Sequence, residues 1–161
     1  MNRDTSLNEI GVLQRREIEA RILAPVLDAL GQAFGKDAVL EITRRAIADI
    51  ARRQGRELAE QLGHNDLVAY SESLEPWTRN GALELRVLNQ TQTRLDFDVT
   101  RCQYAELYHK LGLAELGSIL SCNRDASFIE GFNAAIQLDR TQTIMQGASH
   151  CDLQFSKRAP E

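Results

Sequence analysis

Side chains able to do chemistry are concentrated in the C-terminal half of the chain. Residues 101–152 contain all three cysteines, Cys102, Cys122 and Cys151, together with two of the three histidines. A thiolate is a strong nucleophile and a soft metal ligand, and imidazole transfers protons or binds the same metals. We therefore expect the site to lie in this half of the chain. Cys102 is expected to be a core residue at a junction between a strand and a helix.

The sharpest of these clusters is His150-Cys151-Asp152, at the start of a predicted strand. Neighbouring residues of a strand point to opposite faces, so His150 and Cys151 are not expected to act on each other as base and nucleophile. Alternation places Cys151 with Leu153 and Phe155 on the apolar face. Two roles stay open for Cys151, that of a nucleophile or ligand and that of a buried apolar side chain.

A second cluster surrounds the predicted start of a helix and combines a thiol, an amide, a guanidinium and two carboxyl groups. Its members are Cys122, Asn123, Arg124, Asp125 and Glu130. Asn123 or Asp125 could cap the helix, and a helix N-terminus would lower the pKa of Cys122. The alternative is a cap region with an incidental thiol.

Familiar cofactor and nucleotide motifs are missing from the sequence, which contains no GxGxxG, Walker-type loop, GxSxG or HExxH. Zinc held by Cys122, His150 and Cys151 suits the residue types, but no CxxC or HxxxH spacing supports it. We therefore expect no cofactor, with zinc or another divalent metal as the alternative.

Composition and charge limit the partners. The 161 residues include 19 Lys and Arg against 23 Asp and Glu, a net charge of −4, which is unlike a nucleic-acid-binding protein. No apolar run approaches the ~18 residues of a membrane span. The odd cysteine number and the lack of a signal peptide predict reduced thiols and a cytoplasmic location. We expect a small-molecule partner, no nucleic acid and no membrane.

The elements that must position these residues begin with helices in residues 1–62. Apolar residues recur every three or four positions over 18–30 and 39–50, which predicts two long helices with one buried apolar stripe each. Gly35 is the predicted stop between them, and Pro25 should kink the first helix or open another. Arginines in these helices are expected on a solvated face. Their exposed faces would suit a homodimer.

The rest of the chain contains both strand and helix patterns, without a regular βαβ alternation. Strands are predicted where apolar and polar residues alternate, at 83–87, 94–99, 136–145 and 151–156. Helical spacing returns over 103–120 and is broken at Gly112 and Gly117. Because helices and strands are segregated, the predicted fold is α+β, with long N-terminal helices packed on an antiparallel sheet of about four strands. We expect one domain over 1–161, in which a sheet-containing half, 83–156, carries the site.

Several long segments of the chain resemble a known bacterial family. Residues 121–155 read SCNRDASFIEGFNAAIQLDRTQTIMQGASHCDLQF and follow the segment CQYAELYHKLGLAELG. The helical segments REIEARILAPVLDALG and RRAIADIARRQGREL add to the likeness. Together they resemble the L-2-amino-thiazoline-4-carboxylic acid hydrolase family.

The resemblance implies a hydrolase that opens a small cyclic amidine, such as 2-amino-thiazoline-4-carboxylate, toward N-carbamoyl cysteine. Such a reaction needs an activated water or nucleophile, a proton for the leaving sulfur and a counter-charge for the carboxylate. On this resemblance the catalytic residues would be Cys151 as nucleophile or ligand, Asp152 or Asp125 as base, and His150 as proton donor. The substrate-binding residues would be Cys122, Asn123, Arg124, Glu130 and Arg140.

The chain departs from the family pattern after Cys151-Asp152. Family members usually continue with Phe and Arg, whereas this chain has Leu153 and Gln154. Loss of a fixed positive charge predicts a different or uncharged substrate. The alternative function is a non-catalytic domain of the same fold that binds or senses a small molecule.

Overall fold

A computed structural model describes residues 10–158, which begin with a helical hairpin. Helix α1 spans Val12–Phe34 and α2 spans Lys36–Leu62. They are separated only by Gly35, whose φ of 95° favours glycine, so the predicted stop is confirmed. The prediction that Pro25 opens a second helix is wrong, because α1 continues through it. Pro25 is exposed, and water can therefore satisfy the carbonyl group that its missing N–H leaves free.

Shorter elements follow, in which the strands occur as two consecutive pairs with helices before each pair. They are α3 (Leu67–Glu72), α4 (Glu75–Thr78), β1 (Leu83–Gln90), β2 (Arg94–Cys102), α5 (Gln103–Lys110), α6 (Ala114–Gly117), α7 (Arg124–Phe132), β3 (Ile136–Asp139) and β4 (Cys151–Lys157). A single π-helical turn, Ser118–Cys122, leads into α7. No helix within residues 10–158 is long and apolar enough to cross a membrane.

The strands form one antiparallel sheet in the order β1-β2-β4-β3. In its centre Phe97 of β2 pairs with Leu153 of β4, and Val99 pairs with Cys151. The predicted α+β class and the four-stranded antiparallel sheet are therefore confirmed. The alternation of apolar and polar residues predicts these strands because helices cover one face of the sheet and not the other.

The predicted strand over 136–145 is too long, since β3 ends at Asp139. The Asp152 carboxylate accepts hydrogen bonds from the backbone N–H groups of Thr141 and Gln142, at 3.0 and 2.9 Å. These N–H groups are therefore not available to a strand ladder. The Thr143 side chain then caps a 3-10 turn by accepting from the Gln146 N–H.

Helix α7 lies between the sheet and α2, and its position depends on glycine. A Cβ atom on Gly55 of α2 would come within 2.1 Å of the Phe128 carbonyl oxygen. Phe128, Ile129 and Phe132 of α7 enter the same core cluster as the inward face of the sheet. Glycine thus lets α7 approach α2 closely while its apolar side chains pack on the strands.

The prediction for the faces of α1 is wrong at several residues. Leu23 and Leu27 pack inward as expected, but Ile18 and Ile22 are exposed. Arg16, expected on a solvated face, is only 8% exposed. Periodicity identifies a helix without showing which neighbours cover each side of it, and here Arg16 is on the covered side.

Candidate functional site

A cavity of about 130 Å³ lies between the sheet and the helices. Its floor is the inward face of the two central strands, formed by Phe97, Val99, Cys151 and Leu153. Its aromatic wall is formed by Tyr70, Trp77 and Phe128. Such a lining favours an apolar ligand of small size.

Charged groups form another part of the cavity wall. Three guanidinium groups, those of Arg16, Arg124 and Arg140, line it together with the carboxyl group of Asp125. Glu19 pairs with Arg16 at 2.8 Å. Counting both carboxylates against three arginines, the wall keeps an excess of one positive charge. An apolar cavity with a cationic wall suits a ligand that carries one anionic group.

Arg124, in the first turn of α7, is the cavity arginine with the most distant carboxylate partner. Its Nε donates to the Leu120 carbonyl oxygen at 2.6 Å and its Nη1 to Gln54 Oε1 at 3.2 Å. Its Nη2 lies 3.8 Å from Glu19 Oε2. Burial, aided by the nearby Arg16 charge, lowers the pKa of Arg124 to about 10, so the group remains charged at neutral pH. An anion bound in the cavity would give the Arg124 guanidinium a closer charged partner than Glu19.

Asp125 and Arg140 form an ion pair at the edge of the cavity. Arg140, just after β3, donates through Nη1 to Asp125 Oδ2 and through Nη2 to the Cys122 carbonyl oxygen at 3.0 Å. Burial raises the pKa of Asp125, and the Arg140 charge opposes that rise. The Asp125 side chain keeps 40% of its surface accessible and lines the cavity. A carboxyl group in this position can exchange a proton with a bound molecule.

All three cysteines line the cavity, but burial makes them weak acids. It raises the pKa of Cys102 to about 11, that of Cys122 to about 12, and that of Cys151 by an amount that the Ile144 N–H partly offsets. Of the two alternatives for Cys122, the one in which a helix N-terminus lowers its pKa is therefore wrong. The Asn123 side chain does not cap α7, and apolar surroundings outweigh the helix dipole.

His150 and Asp152 do not line the cavity. His150 Nε2 lies 4.0 Å from Oδ1 of Asp98, an outward-facing residue of β2. Asp152 lies opposite Asp98 in the β2–β4 pairing and accepts hydrogen bonds from Thr141. Partial burial alone would raise the pKa of Asp152, but its hydrogen bonds outweigh that effect and lower it. Both residues belong to the outward face of the sheet, whereas Cys151 faces inward.

Asn123 and Glu130 also lie away from the cavity. The Asn123 side chain donates to the Arg44 carbonyl oxygen at 2.9 Å and borders a separate polar cleft, which Cys122 and Arg140 border as well. The exposed Glu130 carboxylate pairs with Arg52 at 3.1 Å. The structure thus brings together five of the nine predicted site residues. They are Cys122, Arg124, Asp125, Arg140 and Cys151.

Two polar residues of the cavity wall, Arg16 and Gln54, come from the N-terminal helices and were missed by sequence reasoning. The only sequence signal for Arg16 is the spacing of three residues to Glu19, which is common on solvated helix faces. Gln154 stands where members of the resembled family usually have arginine. It is exposed, and its Oε1 lies 3.4 Å from Arg94 Nη2. The position where the family's arginine is replaced therefore lies outside the cavity, whereas Leu153 lines the cavity.

Metal ligation finds no support in this geometry. Across residues 10–158, no group of three or more His, Cys, Asp or Glu side chains is arranged to hold a metal ion. The cavity instead offers apolar contact, one arginine with a distant carboxylate partner, and one carboxyl group with a raised pKa. These features can bind a compact anion and assist a proton transfer to it.

Two solved structures share this fold. A crystal structure of the phenol-responsive sensory domain of the transcription activator PoxR with phenol matches at a TM-score of 0.54 and 13% identity, over 84% of this chain and 73% of that one. A trafficking protein particle complex subunit 3 from Naegleria fowleri, covalently bound to palmitic acid, matches at a TM-score of 0.51 and 13% identity, over 89% and 97%. At this identity the likeness is one of fold alone.

Comparison with protein families gives a more direct relationship. A search of curated proteins finds no match. The family model for L-2-amino-thiazoline-4-carboxylic acid hydrolase, in contrast, matches residues 15–155, which span most of the helical hairpin and most or all of each described strand. Since this match covers most of the chain, the protein belongs to the L-2-amino-thiazoline-4-carboxylic acid hydrolase family.

Proposed function

We propose that the protein binds a compact organic anion, a single ring with one carboxylate or similar group, in the central cavity. The observation that carries this proposal is the presence of Arg124 in the wall of an otherwise largely apolar cavity. The apolar walls would hold the ring, and the guanidinium would orient the anionic group.

The size of the cavity supports a ligand with one ring. Its volume is about 130 Å³, and an apolar cavity of about 150 Å³ accepts a benzene-sized molecule. The sensory domain with phenol shows that a protein of this fold can hold a single aromatic ring. Phe97, Phe128 and Trp77 line the cavity and would supply aromatic contacts to such a ring.

Hydrolysis of a cyclic amidine in the same cavity is the second candidate function. It is favoured by family membership and by the accessible Asp125 carboxyl group. Water oxygen would bond to the carbon between the ring sulfur and nitrogen. One water proton would reach the ring nitrogen, and the other would reach sulfur as the carbon–sulfur bond breaks, giving N-carbamoyl cysteine. Asp125 would carry these protons, and 2-amino-thiazoline-4-carboxylate has the required ring and carboxylate.

Calorimetric titration with 2-amino-thiazoline-4-carboxylate and with its uncharged carboxamide tests the binding proposal. We expect the carboxylate to bind more tightly, and Arg124→Gln to weaken its binding about tenfold or more, since a hydrogen bond to a charged group contributes about 1.5–3 kcal/mol. Arg53→Gln, at an exposed position of α2 outside the cavity lining, is the matched control and should bind normally. Equal binding of both compounds, or unchanged binding by Arg124→Gln, would contradict the proposal.

Mass spectrometry of the same incubations separates binding from turnover. Formation of N-carbamoyl cysteine by the wild type, with loss in Asp125→Asn and retention in Cys151→Ser, would support water attack assisted by Asp125. Loss in Cys151→Ser alone would assign the attack to the thiol instead. Tight binding without product over a long incubation would leave binding or sensing as the function.

A further inference from the structure

The polar cleft is a second space in the protein, with a volume of about 200 Å³. It lies where three segments meet, namely the first half of α2, the π-helical turn before α7 and the loop that follows β3. These segments are far apart in the sequence, so the cleft exists only in the folded chain. Besides Cys122, six polar residues line it, namely Arg44, Ser118, Asn123, Arg140, Thr143 and Gln146.

The charge of the cleft is positive, and no carboxyl group of residues 10–158 is part of its lining. Arg44 pairs with Glu41, which lies outside the lining, at 3.0 Å. Glu41 also pairs with Arg45 at 3.4 Å, so its charge is divided between two arginines. Arg140 pairs with Asp125, which lines the central cavity. Two carboxylates against three arginines leave one positive charge, which favours an anionic ligand.

Two of the three segments are tied together without any ligand. The Asn123 side chain donates to the Arg44 carbonyl oxygen at 2.9 Å, which joins α2 to the end of the π-helical turn. The turn is closed by the Asn123 N–H, which donates to the Ser118 carbonyl oxygen at 2.9 Å. Single π-helical turns are rare and occur frequently at functional sites. The part of the cleft between Arg44 and Ser118 is therefore already formed before binding.

Arg140 is also held in place. Its side chain is only 22% exposed, and its guanidinium donates to Asp125 Oδ2 and to the Cys122 carbonyl oxygen. A guanidinium has five N–H donors, so these two bonds leave three for a ligand. A side chain fixed in this way loses little conformational entropy on binding, which favours affinity.

Other donors of the cleft also have no acceptor in the described part of the chain. Arg44 uses one of its five N–H groups, on Glu41. The Ser118 hydroxyl makes no hydrogen bond within residues 10–158. The Gln146 amide oxygen accepts from the Thr143 hydroxyl at 3.3 Å, so the Gln146 NH₂ group is left to donate to a ligand. Donors therefore reach the cleft from all three segments.

We propose that the polar cleft binds an oxyanion of the phosphate class, either the free ion or a phosphate group on a small organic molecule. A carboxylate has two oxygens in one plane, whereas the donors of the cleft come from three separate segments. Phosphate has three or four oxygens in a tetrahedral arrangement, and guanidinium groups bind it through paired hydrogen bonds. This site is distinct from the central cavity and does not depend on the function proposed for that cavity.

An NMR titration of the ¹⁵N-labelled full chain with inorganic phosphate, at constant ionic strength, tests the proposal. We expect saturable shifts of the backbone amides of Ser118, Asn123 and Gln146. The amides of Val99 and Leu153, on the floor of the central cavity, should change little. The absence of a saturable shift, or saturable shifts confined to the cavity floor, would overturn the proposal.

Two neighbouring arginines of α2 provide matched variants. Arg44 and Arg45 are both exposed and both pair with Glu41, but only Arg44 lines the cleft. Arg44→Gln removes hydrogen bonds to a charged group and should weaken phosphate binding about tenfold or more. Arg45→Gln should bind like the wild type. Equal loss in both variants would indicate a general effect of surface charge and contradict the site, and circular dichroism checks that each variant is folded.

Three further compounds identify the ligand and separate the two spaces. Tighter binding of glycerol 3-phosphate than of inorganic phosphate would identify a phosphate monoester, and the reverse order would identify the free ion. Acetate that binds as tightly as phosphate would contradict the proposal, because two oxygens would then be sufficient. Addition of 2-amino-thiazoline-4-carboxylate should leave phosphate binding unchanged, whether or not this compound enters the central cavity. Displacement of phosphate would show that the two ligands share one site and would contradict a separate oxyanion site.

Discussion

Gly131 on α7 lies directly against the backbone of Arg52 on α2. A Cβ atom at Gly131 would come within 1.9 Å of the Arg52 carbonyl oxygen. Together with Gly55 on the opposite helix, it allows α7 and α2 to approach closely. Since α7 carries Arg124 and Asp125, the depth at which α7 sits decides where these two charges enter the cavity wall.

Replacing Gly131 by alanine should destabilise the protein, although alanine is the better helix former by about 1 kcal/mol. The added methyl group meets backbone, which cannot move without separating the helices, so we expect a net loss of about 1–3 kcal/mol. Urea unfolding measures it. Gly31→Ala is the control inside α1, where the nearest atom to the new Cβ is 3.3 Å away, and it should cost far less. Equal stability of the two variants would contradict this account.

Asp152 should stabilise the loop after β3. Its carboxylate accepts hydrogen bonds from Thr141 and Gln142, which hold its folded-state pKa below the ordinary value. The stabilisation is therefore present above the unfolded-state pKa of about 3.9 and is lost as the pH falls through the lower folded-state value. We expect Asp152→Asn to cost on the order of 1–2 kcal/mol at pH 7.

Urea unfolding from pH 7 to pH 3 checks this dependence. The difference in unfolding free energy between wild type and Asp152→Asn should shrink as the pH falls below about 4. Gln154→Ala, on the same outward face of β4, should show no such trend. A difference that grows on acidification would show that Asp152 is not held in its charged form.

The cavity cysteines should react slowly with iodoacetamide in the folded protein. With pKa values raised to about 11 for Cys102 and about 12 for Cys122, the thiolate fraction at pH 8 falls by about two hundredfold or more relative to a free cysteine. Mass spectrometry should find full labelling of all three thiols only after unfolding in urea. Rapid labelling of Cys151 alone in the folded state would instead identify an activated nucleophile.

Much of the sheet could be predicted from the sequence because its alternation is a local property. The spacing of Leu95, Phe97 and Val99 predicts the covered face of β2, and that of Cys151 and Leu153 predicts the covered face of β4. The family resemblance, carried mainly by the segment 121–155, is confirmed by the match over 15–155.

The cavity wall was harder to predict because it depends on contacts between distant segments. Arg124 meets Gln54 across 70 residues of chain, and nothing in the local pattern of α2 distinguishes Gln54 from a solvated residue. The end of β3 likewise depends on Asp152, which is 11 residues away from Thr141. Periodicity shows that a helix has faces, but the packing partner decides which face turns inward.

Filling the cavity should abolish ligand binding with little loss of stability. Val99 is buried and lines the cavity, so the larger ring of Val99→Phe would enter the open space rather than displace neighbours. We expect a change in unfolding free energy below about 1 kcal/mol and at least tenfold weaker binding of 2-amino-thiazoline-4-carboxylate. Leu95→Phe is the matched control, because Leu95 is buried on the same strand face away from the cavity wall.

In Leu95→Phe the added volume has no space to enter, and overpacking should cost about 1–3 kcal/mol while binding is retained. Urea unfolding and calorimetric titration of both variants separate the two effects. If Val99→Phe bound the carboxylate as tightly as the wild type, the ligand site would lie outside this cavity. The polar cleft beside Arg44 would then be the place to search for it, because Cys122 and Arg140 border both spaces.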